Sequence, residues 1–310
     1  MDAHPFFSNR KVVFLLAIFT CLLWGSSYPA IKSGFAMLGL MPDDMAGKLV
    51  FAGWRSMLAG LVLEFVAIAS GENIFRLTSR NWLEVTKLGL LQTSVMFVFF
   101  YLGLAHTTGV KSSVLNGTVS FFGVLLAHFI YRNDRLSWSK SLGCLIGFAG
   151  VLVVNFNHNL LDFHFTLIGE GAVVLSAFFM AAGMVYGKQV SQNMDSRLMT
   201  GHQLTIGGAV LLVVGYAMGG RLGNVTVESA LLLGYLVLNS SFAYTLWSVL
   251  LKYNPVGMVS IFNFLVPIFG AILSAIFLGE TVLEWRNMAA LLLVCSGIWL
   301  VTHQRAPARA

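Results

Sequence analysis

Long hydrophobic runs recur along the chain and are separated by short polar stretches. The first run covers residues 12–31, and nine comparable runs follow at 48–70, 82–104, 112–131, 139–156, 168–187, 199–219, 229–251, 256–278 and 286–303. A run of about 20 apolar residues is long enough to span a bilayer as an α-helix. The pattern therefore predicts an all-α membrane protein with ten transmembrane helices, TM1 to TM10 in chain order.

Composition supports the membrane class. Of 310 residues, 57% are hydrophobic and 10% are charged, whereas a soluble domain carries about 25% charged residues. The polar stretches are too short for a soluble catalytic or nucleotide-binding domain, and Gly187-Lys188 lacks the glycine spacing of a phosphate-binding loop. We expect no cofactor. The net charge of +6 is spread through short loops, which favours a role in membrane orientation over nucleic-acid binding.

One segment of the chain occurs twice. Residues 110–154 align without a gap on residues 257–301, so that Asn116 falls on Asn263 and Trp138 on Trp285. The chain is therefore predicted to consist of two related halves, residues 12–156 and 166–303, with five helices each. An odd number of helices makes the second half enter the membrane from the opposite side, which gives a 5+5 inverted repeat.

The distribution of lysine and arginine predicts the orientation. With the N-terminus inside, 13 cationic residues fall in cytoplasmic segments: Arg10, Lys11, Arg76, Arg80, Lys87, Arg132, Arg135, Lys140, Lys188, Arg197, Lys252, Arg305 and Arg309. Five fall outside: Lys32, Lys48, Lys111, Arg221 and Arg286. The positive-inside rule then predicts that both termini are cytoplasmic.

Two prolines mark candidate cavity segments. Pro267 lies midway along TM9, and because proline has no N–H, it leaves the carbonyl of Asn263 without its helical partner. Pro29 does the same for Gly25 in TM1. Unpaired backbone groups at membrane depth are tolerated where they line a cavity, and this is our interpretation. A kink satisfied by neighbouring side chains is the alternative.

Asparagines and aromatic residues complete the predicted cavity. Asn116 and Asn263 are repeat partners at opposite depths and are predicted to be equivalent parts of an outer and an inner gate, with a simple interhelical hydrogen bond as the alternative. The aromatic candidates are Trp24, Tyr28, Tyr101, Tyr186, Tyr244 and Trp247. For Tyr101 and Tyr186, which lie near helix ends, anchoring at the membrane interface is the alternative.

Few ionisable residues fall inside the helices. Lys32 and Lys188 close TM1 and TM6, where they could carry a charge role or only extend to the interface. Glu170 is the one carboxylate that we expect could couple transport to protons. Arg55 and Glu64 lie on opposite faces of TM2, so they are predicted to reach an interface and not each other. Gly143-x-x-x-Gly147 predicts close helix packing, within one chain or between two.

Three groups of residues carry a family resemblance: Leu23-Trp24-Gly25-Ser26-Ser27-Tyr28-Pro29-Ala30-Ile31-Lys32, Arg55-Ser56-Met57-Leu58-Ala59-Gly60, and Pro267 with Phe277-Leu278-Gly279-Glu280 and Gly297. Through them the chain resembles the drug/metabolite transporter superfamily, in the type with two EamA domains. The first half departs from the pattern at Ser120 and Asn133, which stand where Pro267 and Glu280 would be matched. The resemblance implies an exporter or exchanger of small metabolites, with a cavity lined by helices 1, 3, 4, 6, 8 and 9.

The function predicted on these grounds is secondary transport by alternating access, in the plasma membrane and most simply a bacterial inner membrane. The expected substrate is a small zwitterionic or mildly cationic amphiphile, such as an amino acid or a related compound, because fixed charge looks scarce in the cavity. One alternative is an intramembrane enzyme that uses His106, His128, His202 and Glu170, although their spacing is a weak metal or acid–base signal. A non-transporting membrane scaffold is the other. The oligomeric state stays open.

Overall fold

A computed structural model describes residues 6–41, 43–107, 112, 115–154, 166–278 and 285–303. All regular elements in these ranges are helical. The α-helices are α1 (Arg10–Met37), α2 (Met45–Ala69), α3 (Ser79–Gly89), α4 (Met96–His106), α5 (Thr118–Ile130), α6 (Trp138–Val154), α7 (Ala172–Ser191), α8 (Ser196–Ala217), α9 (Val227–Tyr253), α10 (Val256–Ser260), α11 (Leu265–Leu278) and α12 (Trp285–Thr302). A π-helical segment, Leu90–Val95, joins α3 to α4, and another, Leu167–Gly171, leads into α7. The Gly279-Glu280 pair lies outside the described residues.

Seven helical stretches are long and apolar enough to cross a membrane: Arg10–Met37, Met45–Ala69, Ser79–Leu104, Leu167–Ser191, Ser196–Ala217, Val227–Tyr253 and Val256–Ser274. Three shorter apolar helices cover Thr118–Ile130, Trp138–Val153 and Met288–Thr302. The predicted all-helical membrane class is therefore confirmed. That all ten cross the membrane, and on which side the termini lie, stay predictions.

Polar caps fix where several helices begin. Asp44 accepts a hydrogen bond from the Gly47 amide at 2.7 Å before α2, and Asp195 accepts one from the Arg197 amide at 2.8 Å before α8. Thr226 and Ser229 form a capping box at the start of α9. Each cap satisfies an amide that has no partner inside its helix. Because hydrophobicity is high almost everywhere, these polar residues set the helix boundaries.

Glycine lets α2 and α8 approach at backbone distance. A Cβ atom added at Gly208 would lie 2.4 Å from the Met57 backbone nitrogen, and one added at Gly60 would lie 2.4 Å from that of Thr205. Lipid tails are as apolar as leucine, so helices in a membrane are held by close van der Waals contact more than by hydrophobic exclusion. The glycines of α2 and α8 provide that contact.

The α6–α12 pair repeats this arrangement. An added Cβ at Gly143 would lie 2.8 Å from the Gly297 carbonyl oxygen, and one at Gly297 would lie 2.7 Å from that of Gly143. The predicted small-residue face on α6 is thus occupied by a helix of the same chain, as the intrachain interpretation expects. Elsewhere α1 packs on α9 and α11, while α7 packs on α4 and α5.

The two ends of the helix bundle can be distinguished by their contacts. At the terminal end, where α1 begins and α12 ends, the Asn254 side chain donates to the Phe7 carbonyl at 2.9 Å, and Val301 approaches Gly143. At the distal end, the Gly223 amide donates to the Leu38 carbonyl at 3.2 Å. The largest buried hydrophobic cluster runs from Val13 and Val301 at the terminal end along the bundle to Ala290.

Replacing Gly208 with alanine is expected to lower the free energy of unfolding by about 1–3 kcal/mol, because the added methyl group meets backbone that cannot move aside cheaply. Thermal unfolding of the purified protein in detergent measures the change. Gly234→Ala on α9 is the matched control, since no atom lies within 4 Å of its added Cβ. Equal stability of the two variants would contradict the close α2–α8 contact.

Candidate functional site

A cavity of about 420 Å³ occupies the middle of the bundle and extends toward the distal end, a size typical of small-molecule sites. It is lined by residues of α1, α2, α4, α5, α7, α9 and α11, and of the 3₁₀ segment Ile261–Phe264. Both halves of the chain therefore contribute. The family resemblance implies that TM1, TM3, TM4, TM6, TM8 and TM9 line the cavity, and these correspond to α1, α4, α5, α7, α9 and α11. The cavity is lined by all six and by α2 in addition.

Most of the predicted cavity residues meet here. Eight line the cavity: Trp24, Tyr28, Lys32, Tyr101, Asn116, Tyr244, Asn263 and Pro267. Four others lie outside the lining: Glu170, Tyr186, Lys188 and Trp247. Tyr186 donates a hydrogen bond to the Glu84 carboxylate, and Lys188 donates one to the Asn254 carbonyl.

Aromatic side chains in two layers form one part of the cavity wall. The Trp24 ring faces the cavity and meets the Tyr244 ring edge-on, with centroids 5.6 Å apart. The Trp247 ring lies 5.0 Å from the Trp24 ring and is only 2% exposed. Trp247 therefore supports Trp24 from behind and does not itself present a surface to the cavity.

A second part of the lining is also aromatic. The Tyr101 ring lies 6.0 Å from the Phe97 ring and 6.3 Å from the Phe35 ring. Tyr101 is 3% exposed, so it is buried in the lining and does not act as an interfacial anchor. The cavity thus offers several flat apolar faces, which suits a ligand with an apolar or aromatic portion.

The start of α11 supplies polar groups to the cavity. Because Pro267 cannot donate a backbone hydrogen bond, the chain before it tightens into the 3₁₀ segment Ile261–Phe264. This segment presents Asn263, whose amide nitrogen lies 3.9 Å from the Met184 sulfur. Asn116 is hydrogen-bonded to Tyr28. The two repeat-related asparagines therefore reach the same cavity, and their gating roles stay predictions.

The charge of the lining differs from the expectation. Lys32, Lys48 and Arg55 all line the cavity, and no aspartate or glutamate does so among the described residues. The expectation that the cavity carries little fixed charge is therefore wrong. The expectation that Arg55 reaches an interface is also wrong, because Arg55 is 7% exposed and its guanidinium carbon lies 5.4 Å from the centroid of the Phe97 ring.

Glu64, on the other face of α2, lies beside His202 of α8. Its carboxylate lies 2.9 Å from Nδ1 of His202, and Nε2 of the same ring lies 3.0 Å from the Ile74 carbonyl oxygen. Both ring nitrogens therefore lie within hydrogen-bond distance of an oxygen atom. The sequence does not reveal this buried pair, because 138 positions separate its members.

Polar contacts of Tyr131, Asp134, Lys140 and Lys188 lie at the terminal end, below the cavity, and we call them the terminal seal. The Tyr131 hydroxyl donates to the Val185 carbonyl at 2.8 Å. Asp134 accepts from Lys140 Nζ at 2.5 Å and from the Gly257 amide at 2.7 Å. The Tyr131–Val185 and Asp134–Gly257 contacts join the N-terminal and C-terminal halves of the chain, and none of the four residues of the seal lines the cavity.

Comparison with known proteins decides the family. The sequence model of the EamA-like transporter family matches residues 11–156 and 167–303. The chain belongs to this family. An uncharacterized transporter of Bacillus subtilis, YvbV, is 27% identical over 303 residues, which cover 96% of this chain and 93% of the relative. A probable amino-acid metabolite efflux pump of Salmonella typhimurium is 25% identical over 310 residues, covering 94% and 95%. A crystal structure at 17% identity shares the fold, with a TM-score of 0.75 over 94% of this chain and 96% of that one.

Membership of the EamA-like transporter family makes this chain a multi-pass transporter of the plasma membrane and not an enzyme. The histidines of the enzyme alternative are also dispersed. Nδ1 of His106 lies 2.9 Å from the Leu102 carbonyl, and His128 accepts from the Leu136 amide. Across the described part of the chain, no three His, Cys, Asp or Glu residues are grouped so that they could hold a metal.

In this EamA-like transporter, Glu170 lies near the distal end of the helix that leads into α7. Its carboxylate accepts from the Thr107 hydroxyl at 2.5 Å and from the Thr166 amide and hydroxyl, each at 2.8 Å.

Proton coupling through Glu170 stays a prediction. Glu170→Gln is expected to remove the response of transport to a pH gradient, measured in proteoliposomes. Normal transport with an unchanged response would exclude the role.

Asp134→Ala should open the terminal seal, because it removes the acceptor of both Lys140 Nζ and the Gly257 amide. A cysteine placed at Met180, a half-buried residue of the cavity lining, in a variant without native cysteines, reports access to the cavity through labelling by a membrane-impermeant maleimide. We expect labelling from the distal face in the parent, and from both faces after Asp134→Ala. Arg132→Ala removes an exposed charge of the same loop and serves as the control. Unchanged labelling in the Asp134 variant would show that the seal lies elsewhere.

Proposed function

We propose that this protein is a secondary transporter that exports or exchanges small amphiphilic metabolites, amino acids or related compounds, by alternating access. The observation that carries the proposal is a cavity of about 420 Å³ that both halves of the chain line, and the terminal seal, which joins the two halves at one end, supports it. A cavity closed at one end corresponds to one state of an alternating-access cycle. The efflux-pump name of the Salmonella relative supports the direction and the substrate class.

We further propose that ten transmembrane helices form a 5+5 inverted repeat with both termini in the cytoplasm. The packing pattern supports this. The pairs α2–α8 and α6–α12 each join repeat-related helices, and the α1–α11 contact corresponds to the α7–α5 contact. Two halves related in this way can rock about the central cavity. The terminal end is then cytoplasmic, and the cavity opens to the outside.

Amphiphile binding is proposed to use the aromatic walls. A ligand with an apolar portion would lie against the aromatic rings of the lining: Trp24, Phe97, Tyr101 and Tyr244. The Asn116 and Asn263 side chains supply donors and acceptors for its polar part. Few precisely placed polar groups in a mostly apolar pocket are typical of small-molecule sites.

Uptake and counterflow assays in proteoliposomes, with radiolabelled amino acids and related amphiphiles, test the function directly. Transport of at least one compound above protein-free liposomes is expected. Absence of transport for the whole panel, in both directions and with or without a proton gradient, would refute the proposal.

Trp24→Ala is expected to reduce transport about tenfold or more, since it removes a ring that faces the cavity and is backed by Tyr244 and Trp247. Trp299→Ala is the matched control, because Trp299 lies on α12 and is 59% exposed. It should transport normally. Similar losses in both variants, at equal amounts of folded protein, would indicate a general effect of tryptophan loss on the fold and not a role for the cavity wall.

A further inference from the structure

Arg55 is a buried cation whose charge no group in the described part of the chain neutralises. It is 7% exposed, it lines the cavity, and its Nε has no hydrogen-bond acceptor. Among the described residues, no carboxylate lies within ion-pair distance of its guanidinium group. The chain thus leaves a charged donor group facing an internal space.

The immediate surroundings of Arg55 do not replace a counter-ion. The Phe97 ring offers a cation–π contact at 5.4 Å, and the Tyr101 and Tyr244 side chains are close enough to interact with its charge. A cation–π contact contributes far less than the cost of burying an unpaired charge. Of the other two charged residues on α2, Glu64 lies 2.9 Å from His202 and Lys48 interacts with other groups of the protein. Arg55 therefore differs from both.

The rest of the lining adds positive charge. Lys32 and Lys48 lie in the same cavity and both interact with other groups of the protein, with Lys48 near Asp43 and Asp44. No carboxylate is present in the lining among the described residues. An organic cation would meet like charges here, whereas an anion would offset them.

We propose that Arg55 binds the anionic group of the substrate, and that the substrate is an organic carboxylate with an apolar, aromatic-sized portion. This inference rests on the proposed transport function and narrows its substrate class. Guanidinium donors form a planar fork that pairs with both oxygens of a carboxylate. The aromatic side chains of the cavity lining receive the apolar portion of the substrate. A net anion fits this lining better than the zwitterionic or cationic amphiphile expected from the sequence.

Four probes that share a phenyl group but differ in charge test the proposal: 3-phenylpropionate, phenylalanine, 2-phenylethylamine and phenyl phosphate. Binding to the purified protein in detergent is measured by isothermal titration calorimetry, which does not depend on transport. We expect 3-phenylpropionate to bind most tightly and 2-phenylethylamine not to bind. Tighter binding of phenylalanine, the amine or the phosphate, or no binding of any probe at millimolar concentration, would overturn the proposal.

Substitution of Arg55 gives the second test. Arg55→Gln should weaken 3-phenylpropionate binding about tenfold or more, which is the effect expected from losing a charge-assisted hydrogen bond. Arg55→Lys keeps the charge without the fork and should retain part of the affinity. Arg132→Gln removes an exposed cation and should change nothing. An Arg55→Gln protein that elutes as a single species and still prefers the carboxylate as strongly as the wild type would refute the role of Arg55.

The two proposals fail in different ways. Carboxylate binding that depends on Arg55, together with no transport of any compound in proteoliposomes, would refute the transport function and leave the anion site. Transport of amines or zwitterions that is unaffected by Arg55→Gln would refute the anion site and leave the transport function.

Discussion

Close backbone contact between glycine-bearing helices is the constraint on which the rest of this structure depends. In a bilayer, apolar side chains gain little by leaving lipid for protein, so helices must be held by contact at short range. The α2–α8 and α6–α12 pairs meet this requirement, with added Cβ atoms falling 2.4–2.8 Å from backbone atoms of the facing helix. These two pairs hold the bundle together, so that α1, α4, α5, α7, α9 and α11, with the cavity face of α2, surround the cavity without having to fill it.

Much of the fold could be predicted from the sequence because apolar length alone determines that a segment crosses a membrane. The cavity was partly predictable as well: Pro267 and the repeat of Asn116 on Asn263 identified segments that do line it. Orientation about the helix axis was not, because in a helix that is apolar on all faces no periodicity indicates which face meets protein. For this reason the sequence predicts that Arg55 reaches an interface and that Trp247 lies in the cavity lining. In the structure Arg55 lines the cavity and Trp247 lies behind Trp24. Pairs such as Glu64 with His202 arise only when distant helices meet.

The contrast between Glu64 and Arg55, two buried ionisable residues of α2, separates structure from recognition. Glu64 faces α8, and its carboxylate has a polar partner there in His202. Arg55 faces the cavity and has aromatic neighbours, but it has no counter-ion among the described residues. A charge that the fold does not neutralise raises the free energy of the empty protein, and any ligand that neutralises it recovers that energy on binding. The empty cavity is thus predisposed toward a ligand of opposite charge.

The terminal seal uses main-chain atoms as partners: the Val185 carbonyl for Tyr131, the Gly257 amide for Asp134 and the Asn254 carbonyl for Lys188. Main-chain positions move with whole helices and not with side-chain rotamers. A rigid-body displacement of one half against the other therefore stretches the Tyr131–Val185 and Asp134–Gly257 contacts together, whereas the Lys188–Asn254 contact lies within one half. The two contacts between the halves are released by movement of whole helices.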